Sequence, residues 1–176
     1  MSEDDGQSIK FYGSHNNYGE FSNFYPSSIE IDGEIWPTTE HYFQAQKFIS
    51  DPFIVATIRN FSTPNEAAKE GRRRDLPLRS DWESIKESVM MVALRAKFTQ
   101  HPRLHRLLLS TGDKKIIEHT KNDRYWGDGG GPGQGKNRLG ILLMELRNLM
   151  RNGGINVKNR TESTSQMRSN IRKALK

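Results

Sequence analysis

The segment WPTTEHYFQAQKF, Trp36 to Phe48, combines a carboxylate, two amides and an amine with several large aromatic side chains. Residues three or four apart share one face of an α-helix, so helical spacing places Glu40, Gln44 and Lys47 on the same face. One interpretation of this spacing is a polar ladder on a solvent-exposed face. The aromatic neighbours favour a second interpretation, in which Glu40 is partly buried and its pKa is raised. A carboxylate in that environment suits acid–base catalysis.

A second candidate is the glycine-rich segment YWGDGGGPGQGKNRLG, Tyr125 to Gly140, in which the stretch WGDGGGPGQG holds six glycines. Glycines allow a ligand to approach the backbone amides closely, and the helix predicted after the segment has an N-terminus that favours anions. The segment is not a P-loop, because Lys136 is followed by Asn137 and not by serine or threonine. A surface loop without function is the alternative, but Trp126 and Asp128 among the glycines favour a functional loop.

The chain contains five histidines and no cysteine. Only His101 and His105 have the spacing of one helix face, and no HExxH order is present. We therefore predict no metal site. The lack of cysteine excludes disulfides, thiolate metal sites and cysteine nucleophiles, and we expect no cofactor.

Three consecutive arginines, Arg72, Arg73 and Arg74, lie at the C-terminal end of a predicted helix. Positive charge at this position complements the dipole of a helix C-terminus, which is a purely structural role. Arginine also binds phosphate well, so a phosphate contact is the alternative.

The formal net charge of +6 is concentrated at the C-terminal end of the chain. Residues 151–176 hold seven Lys or Arg and one Glu, whereas residues 1–150 contain twenty basic and twenty acidic side chains. We predict one domain over 1–150 and a basic, flexible tail over 151–176. A solubilising tail is favoured over an arm that binds nucleic acid, because the tail has no aromatic residue to stack on bases.

The N-terminal MSEDDGQS is acidic and polar where a signal peptide would be basic and then apolar. No run of about 18 apolar residues is present, so no membrane span is expected. These observations predict a cytoplasmic protein.

The predicted fold class is α+β, a mostly helical single domain with a small β-sheet. The segment SSIEIDGEIW indicates a hairpin that turns at Asp32-Gly33, and a helix capped by Thr38 or Thr39 follows it. Further helices are predicted over about 52–60, 64–73, 82–100 and from Pro102, with a strand over 115–119 and a last helix to Met150. A capping box is expected where Thr63 precedes Pro-Asn-Glu, and another at Ser80.

Several long segments carry a resemblance to a known family. In order along the chain they are YGEFSNFYPSSIEIDG, WPTTEHYFQAQKF, the GRRR to PLRSDWESIKESVM region, ALRAKFTQHP and YWGDGGGPGQGKNRLGILLMELR. Together they look like the YbiA/NADAR family, over about Lys10 to Met150. The basic tail lies outside the resemblance.

The resemblance implies N-glycosidase activity. Some family members act on phosphoribosylamino-pyrimidine intermediates of riboflavin biosynthesis and release ribose 5-phosphate, and others remove ADP-ribose from guanine bases. A small phosphoribosyl or ADP-ribosyl substrate is therefore expected. A non-catalytic module that binds NAD or ADP-ribose is a third possibility, although such a module would not need both Glu40 and Asp128.

The same resemblance assigns roles to individual residues. Glu40, Asp128 and Lys47 are expected to be catalytic, with Glu40 activating water or stabilising the charged ribosyl ring and Lys47 supplying a cation or an amine. Eight further residues are expected to bind the substrate: Asn23, Phe24, Gln44, Trp82, Trp126, Gly127, Gly135 and Asn137.

Overall fold

The computed structural model describes residues 7–155 of the chain. Over these residues it contains four strands, six α-helices and two 3₁₀ helices. The strands are β1 (Ser8–Phe11), β2 (Ile29–Ile31), β3 (Glu34–Trp36) and β4 (Lys115–Glu118). The helices are α1 (Thr39–Ala45), α2 (Pro52–Arg59), α3 (Pro64–Glu70), α4 (Trp82–Gln100), α5 (Pro102–Ser110) and α6 (Arg138–Arg151), and the 3₁₀ helices span Gly19–Phe21 and Gln46–Phe48. The predicted α+β class, mostly helical with little sheet, is confirmed.

The described residues fall into two compact units. One contains 7–25 and 101–155, and the other contains 26–100. One domain over 1–150 with a tail over 151–176 stays a prediction, and 156–176 lie outside the described residues. Helix α6 nevertheless ends one residue inside the expected tail, and Ile155 is buried. None of the helices in the described part of the chain has the length and apolar character needed to cross a bilayer.

The unit of residues 26–100 begins with the predicted hairpin. Strands β2 and β3 pair antiparallel, with Ile29 opposite Trp36. Asp32 and Gly33 between them both have positive φ, 56° and 78°, as a type I′ turn requires. Thr38 then caps α1 by accepting a hydrogen bond from the His41 amide. Because the cap follows the hairpin at once, the predicted start of this helix is confirmed.

Helix α1 lies at the centre of this unit, and all seven of its residues are buried. It packs against α2, α3 and α4. Helix α3 starts with the predicted capping box between Thr63 and Glu66, but it ends at Glu70, three residues earlier than expected. Helix α4 starts at Trp82, and the Glu83 carboxylate that a capping box at Ser80 would need pairs with Lys86 instead.

The unit of residues 7–25 and 101–155 contains a parallel pair of strands. β1 pairs with β4 from Ser8 opposite Lys115 to Phe11 opposite Glu118. The sequence did not predict β1. Helix α6 packs against β4 at Gly140, where an added Cβ would lie 2.1 Å from the Ile116 carbonyl oxygen. A residue with a side chain could not sit there without moving the helix away from the strand.

Asn137, immediately before α6, joins the end of the glycine-rich segment to β4. Its side-chain nitrogen donates to the Ile116 carbonyl at 2.9 Å, and its side-chain oxygen accepts from the Glu118 amide at 3.0 Å. Asn137 is buried and has a left-handed φ of 50°, which asparagine tolerates better than most residues. Both polar groups of the side chain are thus used within the protein. This geometry favours a structural role over the direct substrate contact that the resemblance implied.

We expect Asn137→Ala to destabilise the protein by about 1–3 kcal/mol, because two buried backbone groups lose their partner. Urea unfolding measures the change in the free energy of unfolding. Asn148→Ala, at an exposed position of α6, is the matched control. It should change the free energy of unfolding by no more than about 0.5 kcal/mol. Equal stability of the two variants would contradict a structural role for the Asn137 side chain.

Candidate functional site

The first half of α1 is organised by a buried histidine. The His41 Nδ1 atom lies 2.8 Å from the Thr38 hydroxyl oxygen, and Nε2 lies 3.2 Å from the Phe61 carbonyl oxygen. A carbonyl only accepts hydrogen bonds, so Nε2 carries the proton and Nδ1 accepts from the hydroxyl. Burial is the main cause of a lowered His41 pKa, against opposing contributions from the Phe61 carbonyl and Glu66. His41 is therefore a neutral structural group that holds the start of the helix.

Glu40 and Gln44 form a buried polar pair one helical turn apart. Each is only 7% exposed, and the Gln44 Nε2 atom donates to the Glu40 carboxylate at 2.7 Å. The exposed ladder considered from the sequence is therefore wrong, and burial of Glu40 is confirmed. The hydrogen bond fixes the orientation of the carboxylate relative to the helix.

Gly71, just after α3, allows the Gln44 amide to reach this position. A Cβ atom at residue 71 would lie 1.8 Å from the Gln44 Oε1 atom. Any larger residue at 71 would push Gln44 aside and disturb its hydrogen bond with Glu40. The absence of a side chain at 71 thus positions the carboxylate indirectly.

Lys47 extends from the 3₁₀ turn that follows α1, and its amine is held in a half-buried aromatic cradle. The Nζ atom donates to the Gly71 carbonyl at 2.8 Å. It lies 5.6 Å from the centroid of a Trp82 ring and 5.8 Å from that of Phe43, and the two aromatic rings are themselves 5.0 Å apart. Trp82 is buried, and its ring forms a cation–π contact with the Lys47 amine. The ring is therefore not an open surface on which a base could stack.

The surroundings of Lys47 lower the pKa of its amine to about 8. Burial is the largest cause, and the positive charges of Arg74 and Arg72 act in the same direction. Glu40 and, more weakly, Glu83 oppose them. Glu40 thus interacts electrostatically with Lys47, and the face predicted from the sequence carries a coupled acid and amine.

Asp128 in the other unit accepts hydrogen bonds with both carboxylate oxygens. Oδ1 accepts from the Gly130 amide at 2.9 Å and the Thr120 amide at 3.1 Å, and Oδ2 lies 2.7 Å from the His119 Nδ1 atom. Burial acts to raise the pKa of Asp128, but these hydrogen bonds outweigh it and leave the pKa below its usual value. Asp128 is therefore an ionised acceptor that binds the glycine-rich segment to the end of β4.

The rest of this segment is also tied down by its own contacts. Asp123 accepts from the amides of Tyr125 and Trp126, each at 2.8 Å. An added Cβ at Gly127 would lie 2.6 Å from the Thr120 methyl group, and one at Gly135 would lie 2.6 Å from the Asp128 backbone. These glycines are thus needed for packing within the loop. The glycine-rich segment therefore has a defined structure, and whether it also has a function stays a prediction.

Asn23 and Phe24 lie just after the first 3₁₀ helix and are both half-buried. The buried Ser22 hydroxyl accepts from the Phe24 amide at 3.2 Å, which fixes the turn. Trp126 is likewise half-buried and meets the Tyr125 ring edge to face at 5.1 Å. All three retain accessible surface, and a role for them in substrate binding stays a prediction.

Two groups of the expected site residues are brought together, one in each unit. Glu40, Gln44, Lys47 and Trp82 form the first, and Trp126, Gly127, Asp128, Gly135 and Asn137 belong to the second. Two residues that contact the expected site residues are not apparent from the sequence. His119 is one of the five histidines, but no helical or strand period relates it to Asp128. Gly71 precedes the three arginines, but no local pattern indicates that its carbonyl receives Lys47.

Within 7–155, no group of three or more His, Asp or Glu side chains is arranged to hold a metal ion.

Comparison with known proteins identifies similar sequences and a similar structure. The NADAR domain model matches residues 10–151. The chain is 58% identical over 139 residues to N-glycosidase YbiA of Escherichia coli K12, covering 79% of this chain and 86% of that protein. It is 44% identical over 153 residues to the chloroplastic riboflavin biosynthesis protein PYRR of Zea mays, covering 79% of this chain and 24% of that protein. The NMR structure of Escherichia coli YbiA superposes with a TM-score of 0.77 at 55% identity, covering 84% of this chain and 88% of that one.

Replacing Asp128 with alanine should reveal its part in holding the loop. We expect Asp128→Ala to lower the free energy of unfolding by about 1–3 kcal/mol, since the amides of Thr120 and Gly130 lose a charged acceptor. Asn122→Ala, at an exposed position of the same segment, is the control. Urea unfolding distinguishes the two, and an Asp128→Ala protein as stable as the control would show that the network does not hold the loop.

Proposed function

The chain belongs to the NADAR family, and from this membership and the site geometry we propose that it is an N-glycosidase, a hydrolase that cleaves the C1′–N bond of a ribosyl group. The observation that carries the proposal is the buried Glu40 carboxylate coupled to the Lys47 amine. A module that only binds a nucleotide has no need for a desolvated acid and an amine whose pKa is near the working pH. The reaction requires water and no cofactor.

The proposed substrate is a phosphoribosylamino-pyrimidine intermediate of riboflavin biosynthesis, from which hydrolysis releases ribose 5-phosphate. Support comes from the relatives, since one is named an N-glycosidase and another a riboflavin biosynthesis protein. The exposed arginines near Lys47 also suit a phosphorylated substrate. A product assay on this compound and on ADP-ribosylated guanine tests the choice. Release of ribose 5-phosphate supports it, and release of ADP-ribose alone would replace it with the second substrate.

Hydrolysis requires charge stabilisation at two places. As the C1′–N bond breaks, its electron pair leaves with the nitrogen and positive charge develops on the ribosyl ring. The oxygen of water bonds to C1′ and loses one proton, while the departing nitrogen gains one. An enzyme for this step therefore needs a negative group near the ring and a proton donor near the nitrogen.

Glu40 suits the first requirement. In a buried site its negative charge interacts strongly with a developing positive charge, because little water screens it. It also accepts the proton that the attacking water loses. The hydrogen bond from Gln44 holds the carboxylate in place for both tasks.

Lys47 suits the second requirement. An amine with a pKa of about 8 is mostly protonated at neutral pH and releases its proton more readily than an ordinary lysine. In the proposal, the ammonium group donates a proton to the leaving nitrogen. Proton return from Glu40 to Lys47, through solvent, restores the starting state. Asp128, which is ionised and occupied by hydrogen bonds, acts by positioning the loop.

We expect Glu40→Gln to lower kcat on the order of 100-fold or more, because the amide cannot take a proton or stabilise a positive charge. Steady-state kinetics on the phosphoribosyl substrate measure the loss, and the melting temperature checks the fold. Glu30→Gln, an exposed acid on β2, is the matched control and should keep full activity. Near-normal turnover of Glu40→Gln would exclude this carboxylate from the chemistry.

The role of Lys47 as a proton donor predicts a particular pH profile. Since the protonated amine is the active form, kcat/KM should fall above pH 8, where Lys47 loses its proton. Lys47→Arg should be slower but lack this limb, because arginine stays protonated. Lys69→Arg, at an exposed position, should retain the wild-type profile. A kcat/KM that rises through pH 8 would instead identify the neutral amine as a nucleophile.

A further inference from the structure

The three consecutive arginines after α3 differ in their partners. Arg73 donates to Glu70 and to both carboxylate oxygens of Asp75. Arg74 forms no hydrogen bond or ion pair with any of the residues 7–155. Arg72 uses its Nε atom to donate to the Ala68 carbonyl at 3.0 Å, and over the same part of the chain no carboxylate pairs with it. Within residues 7–155, only the middle charge of the three is thus neutralised.

The two unpaired arginines lie close to the proposed reacting groups. The Lys47 amine donates to the carbonyl of Gly71, the residue immediately before Arg72. The charges of Arg74 and Arg72 both act on this amine, as does the Glu40 carboxylate. Both guanidinium groups are exposed, so a soluble ligand can reach them. An uncompensated positive patch thus borders the buried acid and amine.

The uncompensated positive charge is confined to Arg72 and Arg74, because the charged side chains around them are paired. Arg79, the next arginine in the chain, is paired through two hydrogen bonds with Asp81 at 2.6 and 2.9 Å. Glu83, which also acts on the Lys47 amine, pairs with Lys86. Asp81 and Glu83 thus pair with other side chains. Their charges do not offset those of Arg72 and Arg74, which can therefore attract an anionic ligand.

We propose that Arg72 and Arg74 form a binding site for the phosphoryl group on O5′ of the substrate's ribose. Guanidinium groups present paired N–H donors that match phosphate oxygens. The ribose that carries the O5′ phosphate also contains the reacting C1′ atom, so the phosphate site must lie no farther from C1′ than the length of one ribose. This assignment rests on the proposed function for the identity of the sugar.

The test compares binding of ribose 5-phosphate, ADP-ribose and unphosphorylated ribose to the full chain by NMR titration. Arg74→Gln and Arg72→Gln remove the proposed contacts, and Arg73→Gln removes the same charge from the neighbouring, paired position. We expect the first two to weaken ribose 5-phosphate binding by about tenfold or more, as expected for a charge-assisted hydrogen bond, and Arg73→Gln to change it by less than about twofold. Melting temperatures confirm that each variant is folded.

Comparing the three ligands shows whether the site prefers a phosphate monoester or a diphosphate. Tighter binding of ribose 5-phosphate than of ribose, lost with Arg74, supports a site for a phosphate monoester. An Arg74-dependent preference for ADP-ribose supports the same site with a diphosphate. Equal losses in all three arginine variants would overturn the proposal, because they would show only a general electrostatic effect. Failure of the wild-type protein to bind either phosphorylated sugar more tightly than ribose would overturn it as well.

Kinetics separate this inference from the proposed function. If the wild-type protein cleaves neither candidate substrate but binds ribose 5-phosphate through Arg74, the function is wrong and the phosphate site stands. If it is an active N-glycosidase with equal KM in the Arg74→Gln and Arg73→Gln variants, the function stands and the phosphate site is wrong. The expected result is a higher KM with little change in kcat for Arg74→Gln, since the phosphate does not react.

Discussion

Burial of polar groups on α1 is the constraint on which much of the structure of residues 26–100 depends. The helix is buried along its whole length, although it carries a carboxylate, an imidazole and an amide. Removing such groups from water is costly unless each has a partner. The partners are provided locally and by neighbouring segments: Thr38 and the Phe61 carbonyl for His41, and Gln44 for Glu40. The fold thus stabilises a helix whose side chains would otherwise favour the surface.

The sequence predicted the parts of this arrangement that depend on local rules. The Asp32-Gly33 turn, the Thr38 cap and the common face of Glu40, Gln44 and Lys47 follow from turn chemistry and helical spacing. The burial of that face could also be inferred, because the aromatic residues beside it leave little room for an exposed surface. Such features need no knowledge of what is distant in sequence.

Contacts between distant segments could not be predicted in the same way. Strand β1 was missed because its partner β4 lies more than a hundred residues later, and four residues carry too weak a periodic signal. The Gly71 carbonyl that receives Lys47 is 24 residues away, and glycine gives no chemical indication of that role. The catalytic role of Asp128, which the family resemblance implied, stays a prediction. Its three hydrogen bonds, which no sequence pattern indicates, show that a carboxylate among glycines can also organise the loop around it.

His41 and Lys47 lie in the same short segment but differ in their protonation at neutral pH. This difference indicates a different role for each. His41 is deeply buried and meets only neutral partners at short range, so burial lowers its pKa and keeps it uncharged. Lys47 is less completely buried, lies against aromatic ring faces and interacts with Glu40, so it keeps its charge until about pH 8. A basic side chain that donates a proton must be protonated at the working pH and still release its proton readily, and of these two groups only Lys47 meets both conditions. The uncompensated arginines help to satisfy the second condition, because without their charges the amine would hold its proton more tightly. A phosphate bound to them would offset part of that effect, so substrate binding and the acidity of Lys47 are coupled through the same two side chains.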